Sequence, residues 1–382
     1  MNHCKNNFAG VGLTAICLIA VLNPPAMTQD SKPAAGVQAW VGARVIDGTG
    51  RAAIENATLV IRNGRVAAVG KRVKIPAGAE RIDASGKTII PGLICAHGHL
   101  SDPAQFGSYL RDGITTILSL GGAKEFDLRE QSAKAAAGTA PHLYVAGLIQ
   151  DSSAIPGAVA VSTSEDARKS VDLLIRNKPD IVKVRVDDFL GARPKMAPDV
   201  YQAVIEEAHK NGYRTAAHVV LLDDAKALLR AGVDYIAHSV RDREVDDEFI
   251  GLMKKRNVFY SPTLTRELAV FTYAETPSFF TDPFFLREAD PAEMARMQDP
   301  KYQEKMRGDP GARWYQEHLP IAMRNLKKLS DAGVVIKWAP TAGAAPAVSR
   351  VTSSILNWNM KPRLDSLRCR RSCRPRAAPP KR

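Results

Sequence analysis

The chain has 382 residues, enough for one large domain and a small companion, and its 45% hydrophobic content provides a sizeable core. A formal charge of +13 spread over the whole molecule would point to nucleic acid or an anionic surface. It is not spread: Lys337 to Arg382 holds eleven Lys/Arg against Asp365 alone, which leaves +3 for the first 336 residues. The folded body therefore gives no reason to expect a nucleic-acid partner.

Residues 1–29 read as a secretory signal peptide. Lys5 opens it, Val11–Leu22 is an apolar run too short for a stable spanning helix, and Asn23-Pro24-Pro25-Ala26 breaks it. Export to the periplasm or beyond is the expectation, with no membrane attachment in the mature chain. Residues 30–36 read as a linker. From residue 37 to 87, short apolar runs at 43–46, 57–61 and 65–69 alternate with turn signals at Asp47-Gly48 and Asn63-Gly64, which predicts a small all-β domain. The five cysteines form no disulfide framework. Cys4 and Cys17 fall in the leader, Cys369 and Cys373 in the basic end, and only Cys95 remains in the body.

From residue 88 to 338 the pattern changes to strand–helix alternation. Strands are expected at 89–99, 114–120, 143–149, 181–186, 214–219, 235–238, 258–263 and 334–337, with helices between them, for example over 199–211 and 223–231. Eight such units predict an α/β fold, a (β/α)8 TIM-type barrel, whose chemistry belongs at the carboxyl ends of its strands. The stretch 264–313, rich in Pro, Asp, Phe and Met, reads as a long, partly helical insertion.

Three of these strand ends carry four histidines. His97-Gly98-His99 aims two imidazoles to one side of the first strand, His218 ends the fifth, and His238 ends the sixth. Clustered imidazoles suit a zinc-like cation, and an open coordination position there generates hydroxide near neutral pH. Any one of them alone would read as a hydrogen-bonded core residue; four at strand ends of one barrel read as a metal site. His142 opens its strand at the opposite face, and His209 and His318 fall on helices, so these three read as structural. Lys183 stands near the end of strand four. An ammonium pointing into a barrel is costly unless paired or modified. Asp187 or Asp188 is the plain partner, and chemical modification is the other reading.

These residues resemble the amidohydrolase superfamily, specifically its imidazolonepropionase-like and prolidase-like members, from about Val37 to Ile336. The resemblance is carried by Ala43-Arg-Val-Ile-Asp-Gly48, Ile90-Pro-Gly-Leu-Ile94 with His97-x-His99, Gly113-Ile-Thr-Thr116, Ile181-Val-Lys183, Ala217-His218 and Ile236-Ala-His238. It implies a β-sandwich flanking the barrel and two divalent metal ions, most simply zinc. His97 and His99 would bind one ion, His218 and His238 the second, and a carboxylated Lys183 would bridge them. The family's usual Asp after Pro-Gly-Leu-Ile is Cys95 here, which is no ligand. The resemblance further implies that metal-activated water attacks a C–N bond in a small amide or dipeptide. Lys183 and the leader favour dipeptides or acyl-amino acids; a cyclic amide of the imidazolonepropionase kind, with one metal, is the alternative.

One element of that pattern is missing. The family places an Asp just after strand eight, in Gly-Thr-Asp, as metal ligand and proton shuttle. Here the chain reads Gly333-Val-Val-Ile-Lys-Trp-Ala-Pro-Thr-Ala342, and no acid appears before Asp365. No catalytic acid is therefore intact, and residues 339–382 read as a basic, unstructured tail. The genetic code offers a reason. Read from the third base of each codon, Lys337-Trp-Ala-Pro-Thr341 permits Val-Gly-Thr-Asp, and Asn357-Trp-Asn-Met-Lys-Pro362 permits Leu-Glu-Tyr-Glu-Ala at the same offset. A slipped reading frame near Ile336 is the expectation, with a natural non-catalytic metal-binding protein as the rival reading.

Overall fold

The computed structural model describes residues 36–122, 124–151, 158–287 and 289–339. The expected signal peptide, nearly all of the linker and the basic stretch from residue 340 lie outside the described residues. The chain divides between Ile90 and Pro91 into two compact units. No helix among the described residues is long and apolar enough to cross a membrane.

The first unit is one sheet of β1 (Val37–Val45), β2 (Ile54–Arg62), β3 (Arg65–Gly70), β4 (Glu80–Asp83) and β5 (Thr88–Ile89). The order is β3-β2-β1-β4, with β5 also on β1. Its antiparallel β2–β3 hairpin turns at Asn63-Gly64, both at positive φ (51° and 71°), as a two-residue primed turn requires. Ala43, Val45, Ala57 and Ala84 form its small buried centre. The apolar runs predicted a small all-β domain, and the resemblance implied a β-sandwich; the described residues of this unit form one sheet.

The second unit begins with a correction. The expected strand 89–99 is interrupted at Pro91-Gly92, since proline cannot donate to a ladder, so Thr88–Ile89 pairs in the first unit and the barrel opens with β6 (Leu93–Gly98). Next come α1 (Gln105–Arg111), β7 (Ile114–Ser119), α2 (Glu125–Lys134), β8 (His142–Gln150), the short β9 (Val159–Ala160), α3 (Ser164–Leu174) and β10 (Ile181–Arg185). They are followed by α4 (Pro198–Lys210), β11 (Thr215–His218), α5 (Leu222–Ala231), β12 (Tyr235–Ala237), α6 (Asp247–Lys255) and β13 (Phe259–Ser261). The insertion supplies α7 (Leu264–Thr272), α8 (Pro283–Leu286), α9 (Pro291–Gln298), α10 (Pro300–Gly308) and α11 (Pro310–Asp331) before β14 (Val335–Ile336). The sheet runs β14-β13-β12-β11-β10-β8-β7-β6, every neighbour parallel, with β9 beside β8. Its two ends approach each other where the Ala96 N–H donates to the Trp338 carbonyl at 3.0 Å. The fold is a curled parallel sheet ringed by helices, a TIM-like barrel.

Two apolar layers show which way each strand faces. Ile149, Val182, Val184, Ala217 and Ile236 pack outward on helices, with Val204, Leu228 and Phe249 among the helical residues that meet them. Leu120, Ala146, Ile181, Ala216, Tyr235 and Ala237 fill the interior. Strands buried on both faces are the rule in parallel sheets, and β10 is buried along all but its last residue. Lys183 lies within that run, and by alternation it shares the interior with Ile181. The insertion holds an aromatic cluster of its own, Tyr273, Phe280 and Phe285 with Met297.

Candidate metal centre

A bulge sets the first pair of histidines. Along β6 three steps from Cys95 to Gly98 stand opposite two steps of β7, from Ile117 to Ser119. Cys95 packs on the helix layer. A Cβ on Gly98 would come within 2.6 Å of Ile117 Cγ2 and 3.6 Å of Cys95 Sγ, so both residues face that layer although they lie three apart. The displaced step turns His97 and His99 to the other side, where their Nε2 atoms lie 3.1 Å apart. Gly98 is thus required by close approach. A Gly98→Ala change is expected to cost roughly 1–3 kcal/mol by overpacking against fully buried Ile117. Urea unfolding of the variant checks this, and an unchanged midpoint would show that the layer gives way freely.

His238 arrives by a different device. Tyr235 and Ala237 line the interior, so alternation alone would send residue 238 outward. Its backbone is left-handed instead, at φ 77°, as is Thr263 at φ 48°. Such conformations cost of order 1–3 kcal/mol in ordinary residues and concentrate at functional sites. The two strained residues meet in one hydrogen bond, His238 Nδ1 to Thr263 Oγ1 at 2.8 Å. The His238 ring then lies 4.6 Å from that of His97 and 4.4 Å from that of His218.

The remaining contacts fix how each ring presents its lone pair. His99 Nδ1 donates to the Gly121 carbonyl at 2.8 Å, which places the proton on Nδ1 and frees Nε2. His218 Nε2 contacts Asp187 Oδ2 at 2.7 Å. His97 Nδ1 is buried without a partner among the described residues. Lys183 Nζ lies 3.5 Å from His97 Nε2, so neither Asp187 nor Asp188 is its partner. Burial first, and then the neighbouring cations, push all four imidazoles down, His99 to about 4 and His218 to about 3. Burial also pushes Lys183 down to about 7, the Arg185 charge adding to it and Glu125 opposing. Neutral imidazoles and a partly neutral amine result. Even so, no three His, Cys, Asp or Glu side chains among the described residues already converge as a ready ligand group.

The sequence did not single out Glu125 or Arg185, and it considered Asp187 only as a partner for Lys183. Glu125, at the start of α2, is 1% exposed. Its two oxygens accept from the Gly121 N–H at 3.0 and 3.1 Å, and Ser119 Oγ also bonds to it. Gly121 is therefore held at its N–H by Glu125 while its carbonyl orients His99. Burial pushes Glu125 up to about 8 against the hydrogen bonds of Ser119 and Gly121. Asp187 goes the other way: against the opposing effect of burial, His218 and the Phe189 N–H hold it below the usual carboxylate range. Of the other histidines, His142 is exposed at the start of β8, His209 contacts Asp234 at 2.7 Å, and His318 contacts the Trp314 carbonyl on α11. Two surface clefts, of about 280 and 310 Å³, have no cluster histidine in their linings.

No protein-family model matches the chain. It is 48% identical over 62 residues to a dihydroorotase of Trichlorobacter lovleyi, covering 16% of this chain and 14% of that one. It is 35% identical over 133 residues to an imidazolonepropionase of Streptomyces avermitilis, covering 31% of each. The chain thus spans about a third or less of these relatives. Solved structures match more of it. A Bifidobacterium longum protein assigned as a prolidase superposes with a TM-score of 0.64 at 21% identity, covering 88% of this chain and 80% of that one. A Xaa-Pro dipeptidase with methionine in its active site gives 0.59 at 18% identity, covering 87% and 89%. The chain shares the barrel fold of these solved structures, which include prolidases and amidohydrolases, and its short matched stretches are similar to a dihydroorotase and an imidazolonepropionase.

Proposed function

We propose that the chain is built as a metal-dependent hydrolase of C–N bonds in small amides or dipeptides, exported by its leader. In this reading His97 and His99 hold one divalent ion, most simply zinc, and His218 and His238 a second, with Lys183 between them as a carbamate. The supporting observation is the donor set: four neutral imidazoles in one cluster, one with its proton fixed by the Gly121 carbonyl, beside a buried lysine of depressed basicity. Metal ligands must be deprotonated, and these are. A neutral amine is also the form of lysine that takes up carbon dioxide. Bound metal would supply a water of lowered pKa as nucleophile. The chain's own residues fix that chemistry in place: Glu125 and Gly121 orient His99, Asp187 orients His218, and Thr263 orients His238.

As encoded, this copy lacks the acid that would move the proton to the leaving nitrogen, because no acid lies between Ile336 and Asp365. We read that loss as a slipped frame. The same observation favours the second reading, a non-catalytic protein that keeps its metal; a frame shared by close relatives would decide for it.

Zinc uptake tests the donor set without needing turnover. The purified chain, stripped of metal and titrated in bicarbonate against a chromophoric chelator, is expected to take up zinc. Substituting His97 and His99 together by Ala should abolish one of the two sites, and Lys183→Ala, which removes the proposed shared ligand, should weaken uptake at both. Uptake unchanged in the double variant would remove the proposed site.

A further inference from the structure

The left-handed backbone at His238 needs more holding than one hydrogen bond supplies. His238 and Thr263 are both strained, and the bond between their side chains is worth less than the two conformations it joins. Such conformations persist only where the surroundings over-determine them. Three further ties run between the same two turns. The His238 N–H donates to the Ser261 carbonyl at 2.8 Å, Ser239 Oγ donates to the Pro262 carbonyl at 2.6 Å, and Arg241 Nη1 donates to Glu267 Oε1 at 2.7 Å.

The last tie is unlike the others, being an ion pair whose side chains are both at most 2% exposed. Nη1 also donates to the carbonyl of Ser239, the residue after His238, at 3.1 Å. Glu267 stands in the first turn of α7, four residues beyond Thr263. One guanidinium therefore spans the turn after β12 and the turn after β13. Its Nη2 donates to the Tyr315 hydroxyl on α11 at 3.2 Å, and the centre of that ring lies 4.9 Å from the guanidinium carbon. Arg241 Nε is left buried with no hydrogen-bond partner among the described residues. Burying an incompletely satisfied pair can cost more in desolvation than the attraction returns, and well-packed apolar side chains would join the two elements at least as stably. They would not fix the register: a carboxylate accepts from a donor fork in one place, whereas apolar surfaces slide.

We infer that the Arg241–Glu267 pair is the positioning device of His238. It locks α7 against the turn after β12, so that the ring is held facing His97 and His218. Arg241 and Glu267 are positioning residues that act through Ser239 and Thr263. Because Glu267 and Tyr315 both lie between β13 and β14, the insertion sets the fourth imidazole of the cluster in place.

The test is nuclear magnetic resonance on the full, metal-free chain with isotope-labelled histidine, with urea unfolding of the same samples. Proton–nitrogen correlations report the tautomer of each imidazole, and His238→Gln identifies the His238 signals by their loss. In the parent, His238 is expected in a single tautomer. Arg241→Met combined with Glu267→Leu replaces the pair by apolar side chains and should unfold at the parent's midpoint or above it. His238 should nonetheless give the averaged signals seen when Thr263→Ala deletes its bond directly. His99 and His218, fixed by Gly121 and Asp187, should keep their tautomers. Arg241→Lys keeps the charge but not the fork, should free His238 likewise, and decides the matter if the apolar variant fails to fold. His238 unchanged in the folded apolar variant, or in Arg241→Lys in its place, overturns the inference, and so does release of all the histidines together. The zinc arm alone rests on the metal reading above: the apolar variant should bind the ion of His218 and His238 roughly 10- to 100-fold more weakly than the parent. A parent that takes up no zinc, with His238 freed in the variant, leaves the positioning standing and sinks the metal reading; zinc uptake with His238 unmoved does the reverse.

Discussion

Restoring the reading frame near codon 337, by deleting two bases or adding one, is expected to raise amide hydrolysis by 10²–10⁴-fold or more. A general acid–base group alone is worth about that factor. The residue that the other frame permits, the Asp of Val-Gly-Thr-Asp, would on the proposed reading also bind metal, so its return should count twice. The encoded chain keeps every imidazole of the cluster, along with Lys183, Glu125 and Arg185. It should therefore still take up zinc while turning over almost nothing. Both forms would be expressed with zinc and bicarbonate and assayed on Xaa-Pro and Xaa-Arg dipeptides, N-acyl amino acids and an imidazolone-type ring. A repaired chain that folds, loads metal and is inert on all of them would end the hydrolase reading. Equal turnover by the unrepaired chain would show that the acid was never needed.

Glu125→Gln should change stability in a way that depends on pH. In the folded chain this carboxyl is raised to about 8, whereas its ordinary value is 4.5. Between those values the unfolded chain gives up the proton and the folded chain keeps it, so Glu125 erodes stability as pH rises from 4.5 and does so fully above 8. Glutamine removes that slope while keeping the shape of the neutral acid. The variant should match the parent or fall slightly below it at pH 5, and exceed it by the order of a few kcal/mol at pH 8.5. Lys183 titrates differently in the two states as well, but its contribution cancels in the comparison to the extent that the two groups act independently. Urea unfolding of the metal-free chain at pH 5, 7 and 8.5 measures the difference. A gap that stays constant with pH would mean that Glu125 is ionised in its buried place.

Much of the barrel was legible because its evidence is periodic. All eight expected strands occur where short apolar runs alternate with helices, and the largest boundary shift fell at Pro91-Gly92, where turn chemistry overrode an apolar run. The histidines could be found because a repeated residue type at strand ends is itself a pattern. How they come together could not be read. The bulge in β6 and the left-handed backbone at His238 leave no trace in composition, and without them alternation fails at three of the four rings. Glu125 and Arg185 were hidden for a plainer reason. An acid in the first turn of a helix and a basic residue near the end of a strand are commonplace, and only burial marks these two as unusual.

The seam between the first and last barrel strands has a consequence for affinity. β14 is two residues long, and Ala96, the residue before His97, is the point at which β6 reaches across to Trp338. Short terminal strands open locally more readily than the interior of a sheet. On the proposed metal reading, parting of this seam would take His97 from the cluster, and zinc affinity would then be the intrinsic affinity scaled by the fraction of time the ring of strands is shut. Metal and closure are thus thermodynamically linked. Zinc should slow hydrogen exchange at the Ala96 amide, and any change that lengthens the eighth strand should tighten zinc binding without touching a ligand.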